Sequence, residues 1–520
     1  MKTGLKLPIG IQNLREMREQ GYYYVDKTPF VARLAEEGKY YFLSRPRRFG
    51  KSLFLDTLAE AFAGNRALFE GLYLDEHWDW GRRHPVVRLS FAAGVLDSRA
   101  GLDHAIHVQL ERNAERLGVE LPGREEGVAV RFDTLIERAA ERHGSAAVVL
   151  VDEYDKPIVD NLTRPQVALE LREGLRNLYS VLKGRDAELR FVFLTGVSKF
   201  SKVSIFSGLN NLVDLTLEPD FGAICGYTEA DLETVFAPEL AGLDRQEIRR
   251  WYNGYFWGEA AVYNPFDVLL LFRQRQYRAW WFETGTPTFL VEWLKARGYH
   301  TPWLEASYAD EDLLSAFDVD LIRPEAMLWQ TGYLTIRRVR DTPMGPAYEL
   351  GVPNHEVRMA LNRALLAAWL PDGYVQARQA GLQLYEWLAR GELEAVRGHF
   401  ERLYAGIPHE WYRHNPIAQY EGYYASVFYS HLAALGLDLV AEDVSQLGRC
   451  DLTVRHGGWV YVIEFKVIDG QTGTGEALAQ VRARGYADKY RAPGVKVVEL
   501  GVEFSRITRQ IVGWQAAAAD

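Results

Sequence analysis

The chain has 520 residues, enough for three or four domains, since a single hydrophobic core stops growing well below that size. Its 14 Trp, 28 Tyr and 24 Phe exclude a disordered chain, and its net charge of -10 excludes a global basic field, so any nucleic-acid contact has to use local patches. Two cysteines, Cys225 and Cys450, make neither a disulfide framework nor a metal knuckle; the first twenty residues lack the apolar core of a signal peptide, and no apolar run is long enough for a bilayer. The expectation is a cytoplasmic protein with no membrane partner.

Tyr22-Tyr23-Tyr24 leads into a helix capped by Asp26 or Thr28, with Pro29 in its first turn. These aromatics either flank an adenine or form plain core. Tyr41-Phe42-Leu43 reads as a short buried strand, and Arg45 to Phe49 as a tight basic loop. Gly50-Lys51-Ser52 then opens a segment with Leu53, Phe54 and Leu58 at helical spacing. Strand, loop, Gly-Lys-Ser and helix form the setting of a phosphate-binding loop, in which helix N-terminal N–H groups and the helix dipole favour an anion. Lys51 is placed on the β- and γ-phosphates and Ser52 on Mg²⁺. The usual first glycine of such a loop is Arg45 here; Arg45 and Arg48 are read as basic side chains that neutralise phosphate.

The apolar run 146–151 reads as a strand buried on both faces and ends in Asp152-Glu153. Asp152 is expected to hold the Mg²⁺ water shell, and Glu153 to orient or deprotonate the attacking water. A further strand, 191–196, ends in Thr195-Gly196-Val197-Ser198, whose hydroxyls either sense the γ-phosphate or simply close the strand. With 86–91 and 212–217, these segments alternate with helices, the pattern of a parallel α/β sheet over residues 1–225. Residues 198–211 read as a loop at its C-terminal edge.

Thr228 starts a helix with Asp231 at its third position, and the aromatic helical stretch 226–310 reads as a lid. Residues 311–365 read as a winged-helix-like unit, 366–415 as a helical connector, and the terminal QAAAAD as a frayed tail. Neither His104/His107 nor His409/His414 has a ligand pattern.

Residues 416–520 follow the order αβββαβ. Glu464 and Lys466 fall on one face of a strand, and a hairpin brings Asp451 beside them. Two carboxylates and a backbone carbonyl suit Mg²⁺, Lys466 stabilises or deprotonates an attacking water, and Glu421 on the preceding helix offers a further carboxylate.

On YYVDKT (23–28), RPRRFGKSLF (45–54), VVLVDEYDKP (148–157), TGVSKFS (195–201), YNPFDVL (263–269), GYLTI (332–336), GRCDLTV (448–454), YVIEFKV (461–467) and the Gln-containing stretch 480–490, the chain resembles bacterial and archaeal proteins that join an AAA-ATPase-like domain to a C-terminal PD-(D/E)XK nuclease domain. The resemblance implies a P-loop ATPase of the AAA+/STAND-like group fused to a restriction-endonuclease-like fold. It implies ATP and Mg²⁺ as cofactors, with Mn²⁺ as a substitute at the nuclease site. DNA, or else RNA, is the implied partner, and a homo-oligomer through the ATPase domain is left open. Arg185 and Arg190 are then the candidates for an arginine finger. The reading of a different class is a nucleotide-switched binding protein whose nuclease fold only holds nucleic acid.

Overall fold

The computed structural model describes residues 4–199, 205, 211–258, 261–285, 290–291, 294, 307–310, 314, 323–343, 345–369, 374–406 and 421–518. It divides into two compact units: Met1–Trp281 with Ala309–Tyr348, and Phe282–Tyr308 with Glu349–Asp520. His409, His414 and most of the 198–211 loop lie outside the described residues.

The first unit is built on a parallel sheet of β1 (Tyr40–Ser44), β2 (Val86–Ser90), β3 (Ala147–Asp152), β4 (Leu189–Gly196) and the short β5 (Val213–Asp214), in the order β2-β3-β4-β1-β5. Central strands of such a sheet are covered on both faces, which is why β1 and β3 are apolar almost throughout and buried at every position. Helices Arg99–Leu117, Gly127–His143 and Pro165–Gly184 supply Leu110, Phe132, Leu135, Leu171 and Leu178 to the core on one side. Because β4 lies between β1 and β3 and all three are parallel, the loop after β1, the end of β3 and the end of β4 share one edge.

The same unit contains helices Glu229–Thr234, Arg245–Tyr252 and Pro265–Gln274 and the hairpin β6 (Tyr255–Phe256) and β7 (Ala261–Val262). Thr228 and Asp231 form the expected capping box. Phe236, Tyr252, Tyr263 and Phe272 pack here around Tyr23 and Val25. Of the two roles open to the Tyr22–Tyr24 stretch, Tyr23 therefore takes the core one, its ring 5.1 Å from that of Phe236. The expected division at 226 falls inside this unit, because Phe49 of the basic loop stacks edge-on against Tyr255 and Trp257. Strand β8 (Ser307–Asp310) comes next in the chain. Further on, helix Pro324–Thr331 ends at Gly332, whose φ of +89° suits glycine, and leads to β9 (Thr335–Thr342) and β10 (Gly345–Gly351).

In the second unit, helices His355–Trp369, Tyr374–Arg390, Leu393–Ala405 and Glu421–Ala434 precede a five-stranded sheet. Its strands β11 (Asp438–Ser445), β12 (Gly448–His456), β13 (Trp459–Ile468), β14 (Lys496–Ser505) and β15 (Ile511–Ala518) lie in sequence order, with only β13 and β14 parallel. One expectation changes here. The alanine-rich end is no frayed tail: Ala516 and Ala517 pair with Leu500 and Glu499, so backbone pairing rather than side-chain burial orders it. The helix after Lys466 is short, Glu476–Ala483, and Gly485 at φ +55° turns the chain into a 3-10 turn at Asp488–Tyr490.

Candidate active sites

At the shared edge of the first sheet, Gly50 takes φ +100° and starts helix Lys51–Phe62. Only glycine adopts that angle without strain. Lys51 is buried, and its ammonium donates to the carbonyls of Arg45 and Pro46 at 2.8 and 2.9 Å. Burial lowers its pKa, against the opposing fields of Glu153 and Asp152. Ser52 Oγ donates to Asp152 Oδ2 at 2.6 Å, and Thr195 Oγ1 donates to Asp152 Oδ1 at 2.6 Å. One carboxylate at the end of β3 thus holds hydroxyls from the helix and from β4. The next residue, Glu153, has φ +53°, an uncommon conformation for a side chain of its size. Burial raises its pKa, which Lys51 partly offsets.

The arginines depart from the expectation. Arg45 is 1% exposed. Its guanidinium is buried, donating to the carbonyls of Ser44, Thr216 and Phe221, and lies 4.4 Å from the Trp257 ring centre. Burial pushes its pKa down to about 10, against the opposing charge of Asp214. Arg48, at φ +66°, lies over the Phe266 ring at 4.0 Å. Arg185 is held by Asp133 and Glu137, and Arg190 donates to the Ala35 carbonyl. Arg190 sits near the start of β4, the opposite end from the phosphate loop, so both arginine-finger candidates are committed elsewhere. Ser198 is likewise engaged. Its N–H and hydroxyl both donate to Asp155, a buried acid that also accepts the Val197 N–H. Asp155 was legible only as a third acid in VDEYD; nothing in that spacing ties it to the end of β4.

The second constellation lies on β12 and β13. The pairing of Leu452 with Ile463 sets Asp451 opposite Glu464. Asp451 Oδ2 accepts the Phe465 N–H at 2.7 Å, Lys466 Nζ donates to Glu464 Oε1 at 3.3 Å, and Gln480 Nε2 donates to the same oxygen. Glu464 is 2% exposed, and its Oε2 has no hydrogen-bond partner among the described residues. Burial, then the Asp451 charge, raises the Glu464 carboxyl to about 7, against the pull of Lys466. Burial also raises Asp451, against the Phe465 N–H and the charges of Lys466 and Arg449. A desolvated carboxylate oxygen beside a second carboxylate is a costly arrangement unless a cation joins them. These are hard oxygen donors of the kind Mg²⁺ takes one or two at a time while keeping water. Among the described residues no group of three or more His, Cys, Asp or Glu completes a protein-only cage. Glu421 opens helix Glu421–Ala434, but its side chain lies outside the described residues. Gln480, and Glu442, which faces Asp451 from the neighbouring strand β11, are neighbours that the strand spacing did not single out.

Residues 8–206 match the family model described as a predicted AAA-ATPase, and residues 419–514 match that of the PD-(D/E)XK nuclease superfamily. Over 510 residues the chain is 56% identical to an "Uncharacterized protein in vnfD 5′ region" from Azotobacter chroococcum mcd 1, covering 98% of each chain. No solved structure matches. No helix among the described residues is long and apolar enough to cross a membrane.

Proposed function

The chain belongs to the family that joins a predicted AAA-ATPase domain to a PD-(D/E)XK nuclease superfamily domain, and we propose that it binds and hydrolyses ATP and cleaves DNA in a divalent-metal-dependent reaction. The observation that carries this reading is the buried, unpartnered Oε2 of Glu464 beside Asp451 and Lys466. Asp451 and Glu464 would hold Mg²⁺ or Mn²⁺, which when bound supplies Lewis-acid stabilisation of charge on the scissile phosphate. Lys466 holds the attacking water and balances the charge that builds as it adds. Gln480 fixes the Glu464 carboxylate through one oxygen and leaves the other for the ion.

At the other site, Lys51 takes the β- and γ-phosphates of ATP in place of the loop carbonyls it now meets. Ser52 and Asp152 would hold the nucleotide's Mg²⁺, and Glu153 positions water for hydrolysis. Thr195, which donates to the same carboxylate, would sense the γ-phosphate. Nucleotide state is proposed to gate cleavage, because an unregulated nuclease damages its own cell. A role in defence or mobile-element biology and assembly through the ATPase domain belong to the same reading.

The test is incubation of purified full chain with duplex DNA in Mg²⁺, Mn²⁺ or EDTA, with and without ATP. Metal-dependent strand cleavage is expected. Intact DNA in every metal and nucleotide condition would contradict the reading.

A further inference from the structure

Arg449 and Asp451 lie two apart on β12 and so share a face. Glu442 stands across from Asp451, between the pairs Ala441/Leu452 and Asp443/Cys450. It has φ +52° inside a strand, a conformation that glycine or asparagine would take more readily. The Glu442 carboxylate meets Arg449 Nε, which is the arginine's contact with protein among the described residues; the Arg449 side chain is 63% exposed and that of Glu442 21%. The Arg449 charge also reaches Asp451.

A half-buried acid facing another acid is unfavourable without a cation, and Arg449 is the counter-ion of Glu442, which leaves Asp451 to the metal site. An exposed ion pair by itself contributes little stability, so stability does not explain a glutamate in a left-handed conformation inside a strand. A guanidinium held at Nε keeps two terminal amino groups in a rigid plane, the geometry that recognises phosphate with two hydrogen bonds. We propose that Arg449 binds a phosphate of the DNA strand at the mouth of the nuclease site, and that Glu442 is the positioning residue that holds its guanidinium there. This rests on the nuclease reading above.

The experiment measures binding of a fluorescein-labelled DNA duplex to the full chain by anisotropy in EDTA, across a salt series, together with steady-state cleavage in Mg²⁺. Arg449→Ala is expected to weaken binding about tenfold at low salt and to reduce the slope of log K against log salt by about 0.9, one phosphate contact. Arg449→Lys keeps the slope. Glu442→Gln raises KM severalfold with kcat within about twofold, and Glu442→Gln/Arg449→Ala binds no worse than Arg449→Ala alone, because Glu442 acts through Arg449. Unchanged affinity and slope in Arg449→Ala would overturn the proposal and leave the nuclease reading standing. Lower kcat and a higher metal requirement in Glu442→Gln would make Glu442 a metal ligand and overturn its positioning role. Wild-type protein that neither binds nor cuts the duplex would overturn both readings.

Discussion

Ser52 donates its hydroxyl to Asp152 at 2.6 Å, joining the first turn of the helix after β1 to the end of β3 across 100 positions of sequence. The bond exists because β4, inserted between those strands, brings both strand ends to one edge, where Thr195 takes the other Asp152 oxygen. A divalent ion bound with a nucleotide would meet all three groups together.

That arrangement makes the first prediction. Lys51→Ala removes a charge-assisted contact to phosphate worth roughly 1.5–3 kcal/mol, so ATP affinity by calorimetry should fall about ten- to a hundredfold. Glu153→Gln should bind ATP as wild type does and lose turnover. Equal affinity in the Lys51→Ala protein would remove Lys51 from the phosphate site, and normal hydrolysis by Glu153→Gln would remove Glu153 from its role.

A second prediction concerns a buried histidine pair in the second unit. His399 and His431 meet Nε2 to Nε2 at 2.8 Å. Burial, with a smaller push from Arg402, lowers His399 to about 4; burial, with the His399 charge, lowers His431 to about 3. An unfolded histidine takes its proton near pH 6.5. The unfolded chain therefore binds protons that the folded pair refuses, and the stability this pair contributes is complete above about pH 6.5 and is lost as pH falls toward 4. Urea midpoints should drop between pH 7 and pH 5, and His399→Leu/His431→Leu should show a smaller drop. An equal drop in that variant would assign the pH dependence to other groups.

Gating supplies the third. ATP moves a population from about 1% to 99% cutting-competent only if it binds that state about 5.5 kcal/mol more tightly. Cleavage measured without nucleotide and with ADP, ATP and a non-hydrolysable analogue should differ severalfold in at least one state, and Lys51→Ala should erase the difference. Identical rates in all four states would mean that the two domains are merely tethered.

The parallel sheet and the nuclease-like strands were legible because each is a local pattern: unbroken apolar runs such as 146–151, and the alternation that puts Glu464 and Lys466 on one face. The fate of Arg45 was not. The carbonyls that cage it come from Thr216 and Phe221, 171 and 176 positions away, and no spacing rule links them. Thr195 and Ser198 look alike at the end of one strand, yet one serves Asp152 and the other Asp155, a choice made by side-chain direction in three dimensions. The final strand β15 was missed because alanine pairs well enough by its backbone while giving no period-2 signal. Glu442 was missed because its relation to Asp451 depends on hairpin register, which turn geometry sets.

The central claim is that Asp451, Glu464 and Lys466 cut phosphodiester bonds, and the most direct measurement compares Mg²⁺-dependent DNA cleavage by wild type and Asp451→Ala purified in parallel, with ATP turnover recorded on the same samples. Removing Asp451 takes away one of two carboxylates and leaves the first unit untouched, so cleavage should vanish while ATP hydrolysis continues at the wild-type rate. Asp451→Ala protein that cuts DNA as fast as wild type would contradict the assignment.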